Sequence, residues 1–172
     1  MQMKPANELL PQHNSMPSGA DQRLRLRDYL PYRLSVAANA VSQLIARAYK
    51  EQFGLTVPQW RLMAVLADEG PLTQQALCGL TIMDKVTVMR AAHGLVHRRL
   101  VKRLPNFQDS RSHRLILTVS GKDLYGKIVP LALDYESQLV AGIKASEIAR
   151  LDQLLRQIEH AATTVAMAGS PR

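Results

Sequence analysis

Eight basic side chains fall within the 30 residues from Lys85 to Arg114: Lys85, Arg90, Arg98, Arg99, Lys102, Arg103, Arg111 and Arg114, against one acid, Asp109. The other 142 residues carry 14 basic and 13 acidic side chains, so this block holds seven of the chain's eight excess positive charges. Such a concentration suits a polyanion, because neutralising phosphates releases condensed counterions and gives affinity independent of sequence. Val88, Ala91, Ala92 and Leu95 thread the block at helical spacing, which sets it apart from an ordinary solvated charge run. Catalysis has no comparable candidate: the sequence shows no nucleophile paired with a base and no phosphate-cradling loop, so no enzyme is expected. His93 and His97 stand four residues apart. They lack a nearby carboxylate on that segment and have cation-repelling neighbours, so neither a metal nor a cofactor is expected.

The elements that position this block are mostly helical. Hydrophobic content is 47% with only 5% aromatics, a mixture that favours helices over a β-sandwich. Residues 1–20 hold three prolines and no apolar period and read as a flexible arm. From Asp21 the pattern turns helical, with Pro31 kinking or restarting the helix and Gly54 ending it in the left-handed conformation. Thr56-Val57-Pro58-Gln59 forms a capping box. The helix after it runs to about Asp68 and buries Trp60, Met63, Ala64 and Leu66 or Ala67. Gly70-Pro71 breaks the chain, Thr73 caps a short helix to Leu80, and Asp84 caps another to Arg98 or Arg99. Two short capped helices joined by a tight turn make a helix-turn-helix. Leu100–Leu104 and Arg114–Thr118, around a polar tip that starts at Pro105, predict a β-hairpin. A long helix from Ser120 to about Ile143 bends at Pro130, and Ser146 caps a last amphipathic helix carrying Ile148, Leu151, Leu154, Leu155 and Ile158.

The segment Leu55–Gly121 resembles the MarR family of winged-helix transcriptional regulators. The matching residues are Leu55-Thr56-Val57-Pro58-Gln59-Trp60, Gly70-Pro71-Leu72-Thr73, Asp84-Lys85, Leu100-Val101-Lys102-Arg103, Asp109-Ser110-Arg111 and Leu117-Thr118-Val119-Ser120-Gly121. The resemblance implies a mainly α fold with a small β-wing, a winged helix-turn-helix at 55–118, and dimerisation helices at 21–54 and 119–172. It also implies a homodimer that binds double-stranded DNA at a pseudo-palindromic operator and responds to a small molecule. One departure is Arg99, where the family usually has glycine before the first wing strand. A left-handed turn costs arginine more than glycine, so the recognition helix is expected to end differently, with Gly94 compensating through flexibility.

With Val88, Ala91, Ala92 and Leu95 turned inward, Lys85, Val86, Thr87, Met89, Arg90 and His93 face outward as the DNA-reading surface. Arg90 suits a bidentate contact to guanine, Thr87 or Val86 a thymine methyl, and Lys85 a phosphate. The resemblance assigns Arg111 to the minor groove or its backbone, oriented by Asp109. The alternative is that the two residues form only a turn-stabilising ion pair. His113 and Arg114 are expected to assist at phosphates.

For the effector, the resemblance implies a small aromatic carboxylate or its coenzyme A thioester. Tyr29, Tyr32, Arg33, Ser35 and Asn39, with Trp60 and Met63 as lid or floor, are the candidate residues, since arginine beside aromatics suits a carboxylate on a ring. The same tyrosines and Trp60 read also as core. Cys78 is either a redox switch or buried filler. Two further functions stay open, a redox-sensing repressor and a non-specific architectural DNA binder. The single cysteine, the lack of a secretory-signal layout and the lack of a membrane-length apolar run lead to the expectation of a cytoplasmic protein with no membrane partner. The basic block makes a first prediction: affinity for duplex DNA falls steeply with salt, as for about four to eight phosphates neutralised per dimer. Titration at several salt concentrations checks it, and a nearly flat dependence removes the polyanion argument.

Overall fold

The computed structural model describes residues 23–169; the expected arm at 1–20 lies outside them. The described residues divide into two units, one ending at Asn39 and one starting at Ala40. In the first, a short 3-10 turn at Leu26–Asp28 precedes helix α1, Leu30–Phe53, which continues into the second unit. The expected helix from Asp21 therefore begins only at Leu30, with Pro31 in its first turn, where the missing amide costs no helical hydrogen bond. Gly54 ends α1 at φ +62°, as expected.

In the second unit, α2 spans Val57–Asp68, β1 Leu72–Thr73, α3 Gln74–Thr81, α4 Lys85–His97, β2 Val101–Pro105, β3 His113–Leu117, α5 Val119–Val140 and α6 Ala145–Ala168. The capping box forms: the Thr56 amide donates to Gln59 Oε1 at 3.0 Å, and the Gln59 amide to Thr56 Oγ1 at 3.4 Å. The buried residues of α2 are Leu62, Met63 and Leu66, while Trp60 and Ala64 are half-buried and Ala67 is exposed. The wing is a three-stranded antiparallel sheet ordered β1-β3-β2, in which Leu72 lies opposite Leu115 and Val101 opposite Leu117. The two-residue strand β1 was not expected. Leu62, Met63, Leu77, Val88, Leu95, Val101, Leu115 and Ile128 form the centre of one apolar core.

Arg99 corrects the expectation that α4 ends differently. It adopts φ +59°, its amide bonds to Val96 O and the Leu100 amide to Leu95 O, both at 2.9 Å. This is the left-handed helix termination usually given to glycine, held here at a cost of about 1–2 kcal/mol for the side chain. Thr118 offsets it: its hydroxyl donates to Arg99 O at 2.7 Å, its amide donates to Leu100 O at 3.0 Å, and its Oγ1 accepts from the Gly121 amide at 3.0 Å. Gly94 likewise has a reason other than flexibility. A Cβ there would overlap the end of the Gln59 side chain, so the glycine makes room for the capping box of α2.

Ser146 does not cap α6. Lys144 stands at the cap, its amide bonded to Glu147 Oε2 at 3.1 Å, because an acid three residues on accepts that bond and leaves Ser146 inside the first turn. No residue of α6 is buried; Leu151, Leu154, Leu155 and Ile158 keep 36–48% of their surface exposed. Among the described residues no helix is long and apolar enough to cross a membrane.

At Gly121 a Cβ would collide with the Leu100 carbonyl, a backbone atom that cannot swing aside, whereas Gly126 of the same helix has open space. Gly121→Ala should therefore destabilise the chain by at least about 1–3 kcal/mol, and Gly126→Ala should be neutral or stabilising by up to about 1 kcal/mol. Urea midpoints of the two variants check this, and equal midpoints would contradict the close approach.

Candidate nucleic-acid interface

The turn between α3 and α4 fixes the angle at which α4 is presented. Ile82 takes φ +52°, and the Met83 amide bonds back to Cys78 O at 3.3 Å. Thr81 is buried, with its hydroxyl on Leu77 O at 2.5 Å. A β-branched residue in the left-handed region is uncommon, and Ile82 gains nothing from burial, being 87% exposed. Asp84 then caps α4. Its Oδ1 accepts from the Thr87 amide at 2.9 Å and its Oδ2 from the Thr87 hydroxyl at 2.6 Å. These bonds, the hydroxyl's first, hold the Asp84 carboxyl below its ordinary pKa.

Val88, Ala91, Ala92 and Leu95 are buried. The opposite face exposes Lys85, Val86, Met89, Arg90 and His93, with Thr87 half-buried. The Thr87 hydroxyl is spent on the cap, which leaves its methyl as the group able to contact anything else.

The wing tip is a built turn. Asn106 Oδ1 accepts from the Gln108 amide at 3.2 Å, Asn106 Nδ2 donates to Ser112 Oγ at 2.7 Å, and the Ser112 amide donates to Asp109 O at 3.1 Å. Asp109 Oδ1 accepts from the Arg111 backbone amide at 3.0 Å. Among the described residues Asp109 and Arg111 make no side-chain ion pair. Asp109 thus shapes the turn through the backbone and leaves the Arg111 guanidinium exposed.

Between the starts of α3 and α4 and the wing lies a cleft of about 450 Å³. It brings together Lys85, Asp109, Arg111 and His113 from the expected set. Gln74, Gln75 and Arg103, which sequence reasoning did not single out, also line it. Arg103 was visible in the sequence as part of the basic block, but only strand pairing assigns it a flank. Val86, Thr87, Met89, Arg90, His93 and Arg114 do not line this cleft.

Two of the eight basic residues serve the protein itself. Arg98 donates from Nη1 to Gly54 O at 2.8 Å and from Nη2 to Phe53 O at 2.9 Å, placing a cation on the carbonyl end of α1. Arg114, expected at phosphates, donates from Nε to Pro71 O at 3.0 Å and from Nη2 to the same oxygen, tying β3 to the Gly70-Pro71 turn. The Arg114 guanidinium is thus engaged with the protein's own backbone.

The effector candidates divide between the two units. In the first, Tyr29 precedes α1, and Tyr32, Arg33, Ser35 and Asn39 are exposed on its opening turns, with Ser35 Oγ bonded to Pro31 O at 3.0 Å. In the second, Met63 is fully buried, and Trp60 packs edge-on to Tyr49 at 5.3 Å and stacks on Tyr125 at 5.6 Å. Burial raises the Tyr49 pKa. Cys78 is half-buried against the core.

Three helices ending in a projected basic helix, followed by a β-hairpin beside it, define a winged helix-turn-helix DNA-binding protein. Residues 53–112, which take in most of the winged helix-turn-helix, match the MarR family, and the relatives the chain resembles are transcriptional regulators. The chain is 27% identical over 141 residues to the HTH-type transcriptional repressor NicR of Pseudomonas putida, covering 76% of this chain and 87% of that one. A MarR/EmrR-family regulator from Acinetobacter shares the fold with a TM-score of 0.76 at 22% identity, over 82% of this chain and 99% of that one. BpsR of Bordetella bronchiseptica, whose DNA binding is regulated by 6-hydroxynicotinic acid, shares it with a TM-score of 0.64 at 22% identity, over 74% and 98%.

The Asp84 cap yields a pH prediction. A carboxyl whose pKa is lowered on folding stabilises above its unfolded pKa of about 3.9, and the gain disappears as pH falls through the lower folded value. Asp84→Ala should melt below the wild type at neutral pH, and the gap should narrow below about pH 4. A gap independent of pH would deny the carboxylate its role.

Proposed function

We propose that the chain is a homodimeric, sequence-specific repressor that binds a pseudo-palindromic operator and is released by a small aromatic carboxylate or its coenzyme A thioester. The observation that carries the DNA reading is the outward face of α4. Its Asp84-capped start presents Lys85, Val86, Thr87, Met89, Arg90 and His93 on the side away from the core, next to a cationic cleft closed by the wing. In this reading Arg90 pairs with guanine in the major groove, and Val86 and the Thr87 methyl meet thymine methyls. Met89 and His93 flank them. Lys85, Arg103 and His113 take the phosphates of the strand that runs through the cleft, and Arg111 reaches the minor groove from a turn that Asp109 shapes. Arg98 and Arg114 are left out, being engaged with carbonyls of the protein.

The dimer reading rests on the uncovered stripe of Leu151, Leu154, Leu155 and Ile158. Four large apolar residues at helical spacing that no described residue buries suit a symmetric pairing, and a two-fold axis makes the operator a pseudo-palindrome. The effector reading rests on Tyr29, Tyr32 and Arg33, exposed together at the start of α1 with Ser35 and Asn39, a set that suits a ring bearing a carboxylate. Trp60 and Met63 drop out of it, since both are used by the core. NicR's designation as a repressor and the response of BpsR to a hydroxylated aromatic acid favour the same direction.

Arg90→Ala tests the central assignment. Affinity for a duplex selected by the wild-type chain should fall by about 1–3 kcal/mol, with base preference relaxed at one position per half-site. An equal loss on selected and random duplex, measured by titration, would make Arg90 a phosphate contact and return the reading of sequence to other residues.

A further inference from the structure

We propose that Phe107, at the tip of the wing, is a wedge that enters the minor groove and partly unstacks one base step in each half-site, kinking the duplex. This inference rests on the DNA-binding reading above. Phe107 is 98% exposed, the most exposed of the large apolar side chains among the described residues. A phenyl ring left wholly in water contributes nothing to the core. The segment that carries it is nevertheless held firmly: Asn106, Gln108, Asp109, Arg111 and Ser112 join in six hydrogen bonds within a seven-residue tip. A preorganised turn that projects an unpartnered aromatic ring is built to present it.

The ring's surroundings favour DNA as what it meets. A shallow hollow beside Phe107 is lined by Arg103, Pro105, Asn106, Ser110, Ser112 and His113. Arg103 and His113 line the helix-side cleft as well, where Lys85 and Arg111 join them, so basic side chains border the apolar tip. Positive charge around a bulky apolar point matches a base step bracketed by its phosphates, and apolar side chains inserted at such steps unstack them and bend the helix toward the major groove. Arg111 rises from the same turn four residues after Phe107, so one tip offers both a cation for the groove and a ring for the step.

The test uses the full chain and a duplex that it selects from a random-sequence library, labelled with 2-aminopurine at successive steps on the flanks of each half-site. Wild-type protein should raise the fluorescence at one step per half-site. It should also bend the duplex in a circular-permutation assay, by an angle on the order of 20–90°. Phe107→Ala should abolish both signals and weaken binding by about five- to a hundredfold, as loss of an aromatic–base stack does, while Phe107→Leu should keep most of the bend. The ring is outside the core, so both variants should melt with the wild type. If Phe107→Ala bends and brightens the duplex as the wild type does, the wedge is wrong and the ring meets something other than DNA. If wild-type protein binds the selected duplex yet every labelled step stays dark, the wedge falls while the DNA-binding reading stands. If the chain selects no duplex at all, both fall together.

Discussion

The carbonyl of Leu100 sits where the recognition helix, the wing and the long C-terminal helix meet, and the packing around it fixes how α4 is aimed. Thr118 receives it with amide and hydroxyl, Gly121 approaches so closely that no side chain could be there, and Arg99 just before it turns left-handed so that the chain can reverse into β2. From the same few residues Arg98 reaches to the end of α1. The start of α5 and the end of α1 are thus both attached to the last turn of α4. Any shift of either helix reaches the end of α4 through hydrogen bonds of about 3 Å as well as through the core.

This arrangement explains why two non-glycine residues stand in left-handed turns on either side of α4. Ile82 and Arg99 each cost backbone energy, and each closes a helix with a backward bond from the residue after it. The helix between them is consequently fixed at both ends: at its start by the α3 turn and the Asp84 cap, at its finish by the Leu100 junction. A side chain such as Arg90 then owes its direction to the helix axis and not to contacts of its own.

What the sequence made legible was local. The Thr56, Thr73 and Asp84 caps follow from residue types three positions apart, and all three form. The inward set Val88, Ala91, Ala92 and Leu95 follows from helical period, and all four are buried. The features that escaped depend on distant partners. Arg98 and Arg114 bond carbonyls 43–45 residues away, and no local pattern distinguishes them from the exposed arginines beside them. Strand β1 is two residues long and exists only because β3 offers it a free edge. Leu62 is buried where periodicity pointed to Ala64, and of Leu66 and Ala67 it is Leu66 that is buried, since a slight rotation of α2 decides which residues face the core. Ser146 and Lys144 exchanged places because Glu147 could serve as the cap acceptor.

The internal duties of Arg98 and Arg114 bear on how genetic data for such a protein would be read. A survey that neutralises every basic residue and scores loss of regulation in living cells would find these two beside the residues proposed to contact DNA. Their failure would have a different origin. Removing a guanidinium from the end of α1 or from the Pro71 turn takes away bonds that tie distant segments together and raises the fraction of unfolded chain, which cellular proteases then remove. Such variants would be scarce, whereas on the proposed reading a chain lacking Arg90 would be abundant and silent. Protein abundance, and not the regulatory phenotype, separates the charges that build the protein from those available to its partner.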